Sequence, residues 1–104
     1  MDNGVEGQPK ASRRVRIANP EGMHLRAASL LIRVAKRFEA RVKVSNHNGC
    51  ADAKTTPLQL LALGAQPGEE LAIEAIGPDA EEAVEAIAKL IEHHFEELPE
   101  GPER

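Results

Sequence analysis

A chain of 104 residues, 41 % apolar and 29 % charged, is long enough for one small domain and too short for two. With two Phe and no Tyr or Trp its core must be aliphatic, and the single Cys50 excludes an intramolecular disulfide and fits a reducing compartment. The formal charge of −4 is uneven: between Arg13 and Arg41 eight basic residues face two acids, net +6, and from Glu69 onward twelve acids face two basic residues, net −10. This predicts a basic face for an acidic partner and an acidic helix turned to water.

Residues 1–12 mix Gly, Pro, Asn and charge without period and read as a disordered leader. Arg14 to Ala18 alternates polar and apolar residues, the pattern of a half-buried strand. Asn19-Pro20-Glu21-Gly22 breaks it. From about Leu25 to Phe38 the period changes: Ala28, Leu31, Ile32, Ala35 and Phe38 recur every three or four residues, the stripe of an amphipathic helix. Arg41 to Ser45 alternates again, and Asn46-His47-Asn48-Gly49 supplies residues that tolerate positive φ for a hairpin into a short strand near Cys50–Lys54. Thr56 followed by Pro57 predicts an N-cap and first helical residue of a short helix, Pro57–Leu63, stopped by Gly64. Glu70–Ile76 reads as a strand with Leu71, Ile73 and Ala75 on one face. Asp79 with Glu82 resembles a capping box, opening a helix that runs to about Glu97 and buries Ala83, Val84, Ile87, Leu90, Ile91 and Phe95. Residues 99–104 read as a flexible tail, leaving a domain over 13–98.

Helices with one apolar stripe and strands with one apolar face must pair in two layers. The expected fold is α+β: a four-stranded, mainly antiparallel sheet with the helices on one face and the other face wet.

His24 stands where a Gly-containing loop enters the first helix. The first N–H groups of a helix lack intrahelical partners and carry partial positive charge, so they hold phosphate well. An imidazole at that point is placed to take a phosphoryl group on a ring nitrogen, and Arg26 is placed to add a charge-assisted hydrogen bond to the same oxygens. On an exposed terminus each such contact is weak, on the order of 0.3–1 kcal/mol, which suits a carrier that must release what it takes.

The run Gly22-Met23-His24-Leu25-Arg26-Ala27-Ala28 resembles the active-site signature of the HPr family, Gly-Leu-His-x-Arg-Pro-Ala, and the resemblance continues from Arg13 to Glu97 through Asp52–Thr56 and Leu60–Ala65. It implies an open-faced βαββαβα sandwich and a phosphocarrier of the phosphoenolpyruvate-dependent sugar phosphotransferase system. His24 aligns with the histidine phosphorylated at Nδ1 by phospho-enzyme I, and Arg26 with the arginine that supports the phosphoryl group and its transfer to IIA domains. On this reading the chain is a monomeric carrier, not an autonomous enzyme, and needs no cofactor or metal. The alternative is a regulatory paralogue of a nitrogen-type phosphotransfer chain, whose phosphorylation state controls binding to other proteins.

Three positions depart from the signature. Ala27 replaces the proline after the arginine, Leu25 is more apolar than usual, and the regulatory serine targeted by HPr kinase/phosphorylase is replaced by Thr55 or Thr56, depending on which side the alignment is counted from.

Adjacent residues on a helix diverge by about 100°, so His93 and His94 do not chelate one ion; His94 falls on the apolar stripe, partly buried, and His93 faces water. His47 with Cys50 offers two ligands where a metal site needs four. A nucleic-acid-binding sheet would stack bases on aromatic side chains, which these strands lack.

Overall fold

Alternation at period two builds a sheet whose inner face is Val15, Val42, Val44, Leu71, Ile73 and Ala75, all buried. The computed structural model describes residues 7–95. Its elements run β1 (Lys10–Arg16), α1 (Leu25–Ala35), β2 (Arg41–Asn46), β3 (Gly49–Asp52), α2 (Pro57–Ala62), β4 (Glu70–Ile76) and α3 (Ala80–Glu92). The strands lie in the order β1-β4-β2-β3, and every neighbouring pair is antiparallel. The nine largest fully buried side chains are all Leu, Ile or Val, the aliphatic core expected of a chain so poor in aromatics. Burial of each contributes about 1.5–3 kcal/mol. On the outer face Lys43 stands between Glu74 and Asp52, and Arg14 and Arg16 remain exposed.

Strand β1 begins at Lys10, four residues before the alternation signals it. Lys10, Ala11 and Ser12, assigned to a disordered leader on composition, pair with Ile76, Ala75 and Glu74. The short side chains of Ala11 and Ser12 give a weak periodic signal, and pairing with β4 decides the matter. Residues 1–6 of that leader, and the 99–104 tail, lie outside the described residues.

Helix α1 ends at Ala35, short of Phe38. The reason is tertiary: the Asp79 carboxylate accepts the N–H groups of Glu39 and Ala40, each at 2.9 Å, and turns the chain into β2. Gly77 makes this approach possible, because a Cβ there would lie 2.6 Å from the Ala40 Cα. Asp79 therefore sits at the N-cap position of α3 without capping it, and the expected capping box with Glu82 does not form. Those N–H bonds hold the Asp79 carboxyl below the usual carboxylate range, the one from Glu39 foremost.

Two further elements differ in detail. Thr56 and Pro57 occupy the predicted N-cap and first helical positions of α2, yet the Thr56 hydroxyl makes no capping bond. The hairpin tip is His47-Asn48, with positive φ only at Gly49; the Asn46 side chain accepts the Asn48 N–H at 2.8 Å and shapes the turn.

The last helix stops at Glu92 and not near Glu97. His94 N–H donates to Ile91 C=O at 3.1 Å and Phe95 N–H to Leu90 C=O at 2.8 Å. With φ of 62° at His94 and 60° at Phe95, this is a Schellman stop without glycine. Phe95 is buried, as expected, but it gets there from beyond the helix. His94 leaves the apolar stripe and is exposed, contrary to its helical phase. Nor is the acidic helix wholly turned to water: Arg13 of β1 forks to Glu85 at 2.9 Å and Glu92 at 3.0 Å.

Candidate functional site

The loop between β1 and α1 is fixed by backbone before any functional side chain is considered. Ile17 N–H donates to Glu69 C=O, and Met23 N–H to Ala65 C=O at 3.2 Å, so the loop is clipped to the segment between α2 and β4. Gly22 has φ of 69°, and a Cβ there would lie 2.7 Å from the Ala65 carbonyl oxygen, so no other residue fits without a shift. Asn19 is buried and its amide donates to Gly22 C=O at 2.9 Å and to Glu21 Oε1 at 3.3 Å. Met23, also buried, anchors the residue before the histidine in the core.

His24 is the N-cap of α1, with extended backbone at φ −115° and ψ 179°. Its carbonyl accepts the Ala28 N–H at 2.9 Å and its ring Nδ1 accepts the Ala27 N–H at 3.3 Å. An imidazole nitrogen that accepts carries no proton, so the neutral ring bears its hydrogen on Nε2 and keeps the Nδ1 lone pair. That lone pair faces the first turn of the helix. The departure at Ala27 matters here, because the proline of the family signature has no N–H to give.

Arg26 is exposed and lines the same open cavity as His24, about 600 Å³ in volume, between the β1–α1 loop and the end of α3. Glu21 comes from the loop side. Its carboxyl lies below the ordinary range, first through the Asn19 hydrogen bond and its own backbone N–H, with smaller electrostatic help from His24 and His94. From the opposite side come His94 and Phe95. Sequence periodicity missed His94: a helix continued through residue 94 turns it inward, and only the glycine-free stop brings it to the cavity. Nothing in the sequence marks that stop.

The other candidates stand apart from this cavity. Thr55 is half-buried and its N–H donates to Asp52 C=O at 3.3 Å, while Thr56 is exposed at the start of α2. His47 meets Glu69 at 3.1 Å, where the carboxylate also takes the Asn46 amide and the Gln66 N–H. Bonding by Gln66, then Asn46 and His47, keeps Glu69 below the usual carboxylate range. Cys50 is exposed on β3. Among the described residues no three His, Cys, Asp or Glu side chains gather as a metal site would require, and no helix is long and apolar enough to cross a membrane.

A family model described as the PTS HPr component phosphorylation site matches residues 11–93. The phosphocarrier protein HPr of Streptomyces coelicolor is 39 % identical over 90 residues, covering 86 % of this chain and 97 % of that protein. The phosphocarrier protein NPr of Proteus mirabilis is 38 % identical over 85 residues, covering 82 % and 94 %. Among solved structures, HPr-C-His from Thermoanaerobacter tengcongensis superposes with a TM-score of 0.76 at 32 % identity, covering 85 % of this chain and 99 % of that one. An N-terminal helix cap made by a histidine, the same strand and helix order and this likeness over most of the chain agree: the protein belongs to the HPr family of phosphocarriers.

Proposed function

We propose that this chain carries a phosphoryl group on Nδ1 of His24, taking it from phospho-enzyme I and passing it to IIA domains of the sugar phosphotransferase system. The observation that carries the reading is the His24 cap: the Nδ1 lone pair already lies against the first turn of α1, 3.3 Å from the Ala27 nitrogen. The Ala27 N–H lets go of Nδ1, and attack by the freed lone pair on phosphorus forms the N–P bond. The bond from phosphorus to the donor breaks with its electron pair staying on the donor, and Nε2 keeps its proton throughout. The phosphoryl oxygens then take over the helix N–H groups, and Arg26 adds a charge-assisted contact. Little covalent work falls on this chain, so its role is that of a carrier and not of an autonomous enzyme.

The surface suits transient docking. Leu25, next to His24, is 61 % exposed, and Leu58 on α2 is 72 % exposed. Arg26 and Arg33 on α1, the C-cap residue Lys36 and Arg37 just beyond it are all exposed and form a basic surface for acidic partners. A kinase acting on the regulatory loop would meet Thr56, exposed and free of capping duty, before the half-buried Thr55.

The test is incubation with enzyme I and phosphoenolpyruvate, read by phosphorus NMR. An acid-labile phosphohistidine appears on the native chain and on His93→Ala, and is absent from His24→Ala. A native chain that takes no label from a competent enzyme I sinks the reading. Supplying sugar-type and nitrogen-type IIA domains in turn, each as sole acceptor, then separates transport from the regulatory alternative.

A further inference from the structure

We propose that His94 is a third contact of the phosphoryl group, facing it across the cavity from Arg26. The inference rests on the reading of His24 as acceptor and adds a residue that the family signature does not contain. Three observations lead to it.

First, His94 lines the same cavity as His24 and Arg26, although it lies seventy residues beyond His24 along the chain. Second, its position is bought against backbone preference: residue 94 is the left-handed residue of the Schellman stop, where glycine fits without strain and a β-carbon does not. Phe95, also left-handed, is buried and pins the stop, so the His94 side chain is held over the cavity and out of the core. Strained backbone at a place with a ready unstrained alternative points to a task for the side chain. Third, the charge of the cavity calls for a further donor. Glu21 stands in it as a carboxylate, opposing a phosphoryl dianion, and Arg26 is the only permanent cation among the described lining residues. Among the described residues at the end of α3, Glu92 pairs with Arg13 on β1 and His93 is the exposed C-cap residue. An imidazole donates one N–H when neutral and two when charged, so His94 has a donor for a phosphoryl oxygen in either form.

Removing a merely structural residue from a left-handed position and removing a phosphoryl contact have opposite signatures, and His94→Gly separates them. The readout is the fraction of His24 phosphorylated at equilibrium with catalytic enzyme I and a fixed ratio of phosphoenolpyruvate to pyruvate, measured by phosphorus NMR, beside the melting temperature of the unphosphorylated chain. His94→Gly raises the melting temperature by about 4 °C and lowers the phosphorylation equilibrium constant about threefold, the size of one exposed charge-assisted contact. His94→Lys keeps the constant at or above the native value, and His94→Glu lowers it below that of His94→Gly. His93→Ala leaves it unchanged. Equal constants for native, His94→Gly and His94→Glu chains overturn the proposal for His94. A native chain that takes no phosphoryl group at all instead overturns the reading of His24.

Discussion

A single methyl group at Gly22 is enough to test how the site is held. With φ of 69° and the Ala65 carbonyl oxygen 2.7 Å from where a Cβ would stand, Gly22→Ala must move the loop that carries His24. The expected loss is about 1–3 kcal/mol in urea unfolding, accompanied by slower phosphoryl acceptance. Arg26→Ala should divide these two effects. Its side chain is exposed, so unfolding is unchanged, while transfer slows about tenfold for want of one charge-assisted bond. An Arg26→Ala chain that melts early would show a structural role instead. At this scale the sequence reveals the chemistry unevenly. His24 and Arg26 are legible because they sit in a short run at a helix start. Glu21, Asn19 and His94 are not, because Asn19 and Glu21 act through a loop hydrogen bond and His94 through a helix stop that no glycine announces.

Among the elements, the junctions depart from expectation more than the elements themselves. Strand β4 runs from Glu70 to Ile76 as its alternation dictates, and α1 starts at Leu25. The ends of α1 and α3 differ because distant groups capture them: Asp79 takes the Glu39 and Ala40 N–H groups, and Phe95 is drawn into the core. Period and propensity report on one segment at a time and carry no trace of such bonds. The Asp79 junction has a pH signature. Its folded carboxyl titrates below its unfolded value, so its stabilising contribution is full above the unfolded value near 3.8 and is lost as pH falls through the lower folded one. Asp79→Asn should therefore be less stable than the native chain at neutral pH, with the difference shrinking toward pH 3. A gap in melting temperature that stays constant from pH 7 to pH 3 would show that the carboxylate charge is not what holds this turn.

For the molecule as a whole, the order of strands and helices and the aliphatic core followed from pattern alone, and the sheet order β1-β4-β2-β3 sets helices on one face and charged side chains on the other. The coarse charge asymmetry survives folding only in part. Arg13 pairs with Glu85 and Glu92, and Arg14 with Glu70, while Arg26, Lys36 and Arg37 along and just beyond α1 are exposed. Docking of an acidic partner there is screened by salt over about 10 Å at 0.1 M. The rate of phosphoryl exchange with enzyme I should thus fall several-fold between roughly 50 mM and 300 mM salt, whereas the melting temperature of the chain alone should hardly move. A rate indifferent to salt would place the docking contacts on the apolar side chains Leu25 and Leu58 instead.

The clip between Met23 and Ala65 also has a consequence for synthesis. His24 and Arg26 are made early, but the carbonyl that sets their loop is made some forty residues later, and β1 stays unpaired until β4 has emerged from the ribosome. A nascent chain thus shows partners a histidine with no assembled cradle, and only a nearly finished molecule can hold the group it is built to carry. Ribosome-bound chains stalled before Ala65 should therefore be poor substrates for enzyme I, and the released full-length chain a good one.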